Sequence, residues 1–267
     1  MTPQRPPEPI ASRDNPRVKR LRRLVQDGGA YRREGVVWVE GDHLCRALLT
    51  RGWRPEAVVA SPAGLAWVQT WQRTGALAPD VPVWLLTEAL MAQLSPLESS
   101  SARVGCLAPV PPTQAVQAGV PTVVLDRLQD PGNVGSILRS AAAFGFRQVV
   151  ALRGTAALWS PKVLRAGMGA HFGLALVEAV DVSCLADLQV PLLATSSHHG
   201  DWLHETRLPW PCAWLLGHEG QGVRSDLMAQ AAQTVRVIQP GGEESLNVAA
   251  AAAICLHASA AAVFGGL

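Results

Sequence analysis

Cysteine is sparse and unpaired in this 267-residue sequence: Cys45, Cys106, Cys184, Cys212 and Cys255 stand far apart, with no C-x-x-C among them. That spacing indicates neither a disulfide framework nor a zinc ribbon, and it fits a reducing, cytoplasmic compartment. Charge is thin as well, at 16% of residues against 48% hydrophobic, which excludes a disordered chain and leads us to expect packed cores. The proline-rich stretch from Met1 to Ile10 has none of the apolar core a secretory signal needs, and reads as a loose tail. No internal repeat or long low-complexity tract is present. One apolar run, Leu246 to Phe264, is close to bilayer length. Alanine dominates it and Asn247, His257 and Ser259 interrupt it, so a helix buried in a core or interface is expected, not a membrane span.

The length suggests two domains. Net charge is only +2, but Arg13, Arg17, Lys19, Arg20, Arg22, Arg23, Arg32 and Arg33 crowd into one segment opposed only by Asp14, Asp27 and Glu34. Clustered cations gain affinity for phosphates by releasing counterions, so the segment is a candidate RNA-binding surface; a solvated helix face would look the same. Asn15-Pro16 offers a helix start, and Val18, Leu21, Leu24 and Val25 recur at helical spacing behind it. Short β-like runs follow at Val36 to Val39, Ala57 to Ala60 and Val81 to Leu86, giving an α/β module over 11–108. Prolines and small residues over 109–120 form a linker. Beyond it, over 121–267, β-like runs at Thr122 to Leu125, Gln148 to Leu152, Leu192 to Thr195, Ala213 to Leu216 and Thr234 to Ile238 alternate with helical stretches. That is the pattern of a doubly wound, mostly parallel sheet.

Three segments carry chemistry. In LDRLQDPGNVGSILRSAAAFG, from Leu125, a strand turns at Asp130-Pro131-Gly132 into a helix with Asn133 at or near its N-cap. Val134, Ile137, Leu138, Ala141 and Ala142 share a face of that helix, and Arg139 lies off it, near the carboxyl edge where open α/β sheets gather ligands. In WLLGHEGQGV a strand runs into Gly217, Gly220 and Gly222, where glycine lets backbone approach a ligand closely. The order is not the dinucleotide G-x-G-x-x-G, which disfavours an ordinary Rossmann enzyme. In VRVIQPGGEESLNVAAAAAICLH a Pro-Gly-Gly turn leads through Ser245 and Asn247 into an alanine-rich helix that another backbone could pass closely. His198, His199 and His204 have no acidic or cysteine partner at a ligand spacing, so no metal is expected. The absence of G-x-S-x-G argues against Ser245 as a hydrolase nucleophile.

Together the motifs D-P-x-N-x-G-x-x-x-R, G-x-E-G-x-G and E-S-L-N-V resemble the signatures of the SpoU/TrmH branch of the SPOUT RNA methyltransferases, over roughly Thr122 to Leu267. SPKVLRAGMGAHF, from Ser160, also resembles a family stretch. NPRVKRLRRL and VWVEGDHL are similar to the family's L30e-like substrate-binding domain. The resemblance implies an S-adenosylmethionine-dependent RNA 2'-O-ribose methyltransferase, preferring ribosomal RNA to tRNA. It also implies a deep trefoil knot in the C-terminal domain and a homodimer whose interface completes the site. It casts Arg139 as the catalytic arginine, as base or as stabiliser of the developing alkoxide, with Asn133, Glu219, Ser245 and Asn247 around it. The cofactor would sit against Gly217, Gly220, Val237, Ile238 and Leu246, with Thr195 a weaker candidate. His218 and Ile238 depart from the family pattern, where Asn or a small residue and proline are common. A non-catalytic RNA-binding dimer and a base methyltransferase of the same superfamily are the alternatives.

Overall fold

A computed structural model describes residues 6–95, 103–241 and 245–265, so Gly242, Glu243 and Glu244 of the third segment lie outside the described residues. The chain forms two compact units. The first comprises Met1–Pro112 together with Trp159–Phe172, and the second Thr113–Leu158 with Gly173–Leu267.

In the first unit β1 (Glu8–Ile10) leads to α1 (Pro16–Gln26), α2 (Tyr31–Glu34), β2 (Val36–Glu40), α3 (Asp42–Thr50), β3 (Ala57–Ala60), α4 (Leu65–Arg73), β4 (Val83–Leu86), α5 (Glu88–Leu94) and β5 (Val104–Pro109). The strands form a mixed sheet in the order β1-β4-β3-β5-β2. Helix α1 starts where its sequence says it should: the Asn15 side chain accepts from the Arg17 N–H at 2.9 Å, and Pro16 occupies the first turn, where no donor is needed. Its Val18, Leu21 and Leu24 join Trp38, Val59, Trp84 and Leu107 in the core. Two strands escape the sequence patterns. The end of the supposed tail is β1, parallel to β4 with Ile10 opposite Leu86 and buried; three residues are too few to show a period, and the neighbouring strand supplies the pairing. Strand β5 contains Gly105, a poor strand former, because a Cβ there would fall 2.1 Å from the Trp38 ring.

After β5 the chain continues with β6 (Thr122–Leu125), α6 (Pro131–Ala143), β7 (Gln148–Leu152), α7 (Pro161–Gly167), β8 (Ala175–Val180), β9 (Leu192–Thr195), β10 (Asp201–Trp202), β11 (Ala213–Leu216), α8 (Ser225–Met228), β12 (Gln233–Arg236) and α9 (Val248–Phe264), all but one of them in the second unit. Of these, α7 belongs to the first unit. It packs on β2, and the indole of Trp53 donates to the Phe172 carbonyl at 3.1 Å. The first unit is therefore discontinuous in sequence, which a single linker at 109–120 does not anticipate.

The second sheet has the order β10-β12-β9-β11-β6-β7-β8, with every pairing parallel. Parallel strands put all their carboxyl ends on one edge. The loops after β6, β9, β11 and β12 therefore meet there, and with them the three sequence segments. Strand β11 lies between β9 and β6, so the chain returns to the middle of a sheet it has already widened. Helices α6 and α9 pack together, and α9 also contacts β11. The fully buried Trp214 of β11 donates its indole N–H to Ser259 Oγ of α9 at 2.9 Å, which gives a polar interruption of the apolar run its purpose. Among the described residues no helix is long and apolar enough to cross a membrane.

Candidate active site

The helix start of the first segment differs from expectation in one informative way. Asp130, not Asn133, caps α6: its carboxylate accepts from the Asn133 N–H at 2.8 Å. Asn133, in the first turn, is thereby left with its side-chain amide free for other partners. That amide accepts from Asn247 Nδ2 at 3.0 Å and donates to Glu219 Oε1 at 3.3 Å. Asn247 in turn caps α9, its Oδ1 accepting from the N–H groups of Ala249 at 2.9 Å and Ala250 at 3.2 Å. Glu219 accepts from the backbone of Gln129 at 3.3 Å and Asp130 at 3.1 Å. One residue from each of the three segments thus enters a single hydrogen-bonded chain. Both amides have their orientation settled by partners at each end.

Partial burial pushes the Glu219 carboxyl up, but the N–H donors of its own backbone, Asp130, Asn133 and Gln129 together outweigh it and leave the group below its ordinary value. Arg139 projects from the exposed side of α6, and among the described residues it has no hydrogen-bond or ion-pair partner. Nearly two turns of helix C-terminal to Asn133, this guanidinium is available for an anionic or developing negative group.

Beside this chain opens a cleft of about 420 Å³. Thr195, Gly217, Gly220, Val237, Ser245 and Leu246, all singled out from the sequence, line it. Ile238 does not; it is 55% exposed, because alternation along the segment after β12 turns Val237 inward and its neighbour out. The sequence reading missed Gln239, whose buried Oε1 at the cleft wall has no hydrogen-bond partner among the described residues, and Asp126, a fully buried carboxylate at the end of β6. Asp126 pairs with Arg127 at 3.1 Å and Arg224 at 3.2 Å, and accepts from the Arg224 N–H at 3.0 Å, tying the far end of the glycine loop to the first segment. A carboxylate following a strand carries no periodic signal that could have revealed it.

The glycines also act differently from expectation. A Cβ on Gly217 would meet not open cleft but Val223 N at 2.0 Å and Gly222 C at 2.1 Å, so this glycine lets the loop close on itself. Gly222 has φ +68°. The Gly220 N–H is already taken by His218 Nδ1 at 3.0 Å.

The basic segment is largely paired within the first unit. Arg17 meets Glu8 and lies over the Trp84 ring at 4.7 Å; Lys19 meets Asp14, Arg23 meets Glu34 and Arg33 meets Asp27. Arg20 is turned inward, held by Glu56 and Glu34, which raise its guanidinium further above its usual value. Arg22 donates to Gln93, and Arg32 lies over Tyr31 at 4.9 Å. The side chain of Arg13 has no partner among the described residues. His198 and His199 line the cleft, His199 against Ser196 Oγ at 3.1 Å; His204 lies 3.6 Å from Glu205.

Comparison with known proteins adds a family to this geometry. Residues 121–257 match the SpoU rRNA Methylase family, and residues 15–105 the MRM3-like substrate binding domain. An uncharacterized tRNA/rRNA methyltransferase of Synechocystis is 29% identical over 93% of this chain and 92% of its own length. The 23S rRNA (guanosine-2'-O-)-methyltransferase of Bordetella pertussis is 33% identical over 51% of this chain and 58% of its own, so this chain spans little more than half of that relative. The crystal structure of the AdoMet-bound rRNA methyltransferase of Sinorhizobium meliloti is similar with a TM-score of 0.82 and 25% identity, covering 96% of this chain and 98% of that one.

Proposed function

This chain belongs to the SpoU rRNA Methylase family, and on that premise we propose that it is an S-adenosylmethionine-dependent RNA 2'-O-ribose methyltransferase acting on ribosomal RNA. The observation that carries the reading is the hydrogen-bonded chain Asn247–Asn133–Glu219 beside a cleft, with Arg139 unpaired on the same helix as Asn133.

The cleft suits the cofactor. Its volume lies within the range of about 300–1,000 Å³ usual for small-molecule sites. Val235, Val237 and Val248 offer apolar wall, and Gln239 Oε1 is a buried acceptor in want of a donor. In this reading Thr195, Gly217, Gly220, Val237, Ser245 and Leu246 hold S-adenosylmethionine, which when bound supplies a methyl group made electrophilic by the sulfonium. The task left to the chain is to place a ribose 2'-oxygen in line and to ease the loss of its proton. Asn133, Asn247 and Glu219 orient the ribose through a frame that needs no reorganisation. Arginine keeps its proton in water, so Arg139 serves as the fixed positive charge that stabilises the oxygen as it becomes an alkoxide.

The same reading includes a homodimer whose partner completes the site. It is supported by α9, which is apolar all round yet leaves Ile254, Val263 and Phe264 at least 40% exposed. The trefoil knot belongs to it too, supported by the return of β11 to the centre of the sheet. So does a cytoplasmic location, in keeping with five free thiols.

The test is transfer of labelled methyl from S-adenosylmethionine to unmodified ribosomal RNA, followed by alkaline digestion. Label in alkali-resistant dinucleotides is expected with the natural protein, and Arg139→Ala should lower it by roughly 10²–10³-fold with cofactor affinity unchanged. Label only in alkali-labile nucleotides would move the acceptor to a base. Binding of cofactor and RNA without transfer would leave a non-catalytic RNA-binding dimer.

A further inference from the structure

The turn that walls the cleft is organised by one side chain. His218 directly follows Gly217, and its backbone exchanges two hydrogen bonds with Gly222, His218 N–H to Gly222 O at 3.1 Å and Gly222 N–H to His218 O at 2.8 Å. That closes a loop of three residues, Glu219 to Gln221, whose own N–H groups could not all be satisfied by backbone. The imidazole supplies what is missing: Nδ1 accepts from Gly220 N–H at 3.0 Å and Gln221 N–H at 3.3 Å. From outside, Arg127 Nη1 donates to Gln221 Oε1 at 3.1 Å. The loop includes Glu219, and every residue from Gly217 to Val223 lines the cleft.

Two donors converging on Nδ1 call for a lone pair there, the arrangement of a ring whose proton sits on Nε2. A proton on Nδ1 would set three N–H groups against one another and open the turn. We propose that His218 is a positioning residue for S-adenosylmethionine binding, whose neutral imidazole holds the 217–223 turn in the shape that forms the cleft wall. It acts through the turn and not on the reacting atoms. The proposal rests on the methyltransferase reading above and adds to it a residue with a defined tautomer.

A γ-positioned acceptor is the chemical requirement, and Asn provides one without a titrating ring. Calorimetry of S-adenosylmethionine binding is therefore run on the full chain, His218→Ala and His218→Asn, at about pH 8 and about pH 5.5. At the higher pH the Ala variant should bind roughly tenfold more weakly and the Asn variant within about threefold of the natural protein, one to two hydrogen bonds being at stake. On acidification the natural protein should lose affinity roughly tenfold more than the Asn variant. Glu219, His198 and His199 in the cleft lining, Arg127 on Gln221 and Asp126 paired with Arg127 are common to both proteins, as is the cofactor's own amine, so the difference belongs to His218. Equal affinity of the Ala variant, or equal pH slopes, would overturn the proposal and leave the methyltransferase reading standing. No binding by the natural protein at either pH would overturn both. A second measurement needs no variant: ¹⁵N NMR of the natural protein should show His218 as the Nε2–H tautomer, and an Nδ1–H tautomer would refute it.

Discussion

Asn247 donates its side-chain N–H to Asn133 Oδ1 at 3.0 Å across 114 residues of sequence, joining the first turn of α6 to the first turn of α9. Both residues are already committed at their own helix starts, Asn133 through its backbone to Asp130 and Asn247 through its Oδ1 to Ala249 and Ala250. The pair can therefore be loosened in two distinguishable ways. Asn247→Ala removes cap and link together and should cost about 1 kcal/mol of stability along with activity. Asn247→Asp keeps the cap and adds a charge that the helix N-terminus favours, but sets an oxygen against Asn133 Oδ1. It should leave urea-monitored stability within about 0.5 kcal/mol and still depress methyl transfer. Combined with Asn133→Ala it should cause little further loss; additive effects would show that the two amides act separately.

Glu219 predicts a pH window. Its carboxyl lies below the ordinary value in the folded protein, so the unfolded chain binds the proton more tightly. Its contribution to stability is then fully present above the unfolded value of about 4.3, and is lost as pH falls through the lower folded value. Glu219→Gln should be less stable than the natural protein at neutral pH, and the gap should close as the pH is lowered through about 4. A gap independent of pH would mean that the charge is not what the backbone donors recognise.

The glycine loop offers a matched pair. Gly217→Ala drives a Cβ to within 2.1 Å of the backbone at Gly222 and Val223. It should cost about 1–3 kcal/mol in overpacking and weaken cofactor binding tenfold or more. At Gly220 the nearest atoms to a Cβ lie 3.9 Å away on His218, an ordinary contact, and Gly220→Ala should leave stability within about 0.5 kcal/mol of the natural protein. Calorimetry of the two variants decides the matter.

The arginines of the first unit separate by environment. Arg20 is only 25% exposed and faces Glu34, itself 16% exposed, and Glu56. Arg20→Ala should destabilise the protein by about 1–2 kcal/mol, between the values for surface and buried pairs, and affect RNA binding through the fold. The Arg13 side chain has no partner among the described residues, so Arg13→Ala should leave stability unchanged and reduce the slope of RNA affinity against salt by about one ion. Denaturant titration and salt-dependent RNA binding measure the two effects.

Much of the fold is legible where a local pattern suffices. Thr122–Leu125, Gln148–Leu152, Leu192–Thr195 and Ala213–Leu216 are continuous apolar runs because strands covered on both faces have no polar side, and all four stand where the sequence places them. The candidate site residues Asn133, Glu219 and Asn247 announce themselves by motif. Asp126, His218 as a loop anchor and Gln239 do not, because a lone carboxylate, imidazole or amide has no period, and its role depends on which backbone N–H it finds.

What the sequence determined by itself was the set of local choices: helix α1 with its Asn15 cap and Pro16 start, the buried strands of the second sheet, and the three polar-and-glycine segments that follow strands. Only the tertiary structure decided that these segments converge, because the parallel order β12-β9-β11-β6 brings carboxyl ends from distant parts of the chain onto one edge. It likewise decided that β1 pairs with β4, that 159–172 joins the first unit, and that Gly217 is needed by its own loop. Each of these depends on what lies opposite a residue in space, which spacing along the chain does not encode.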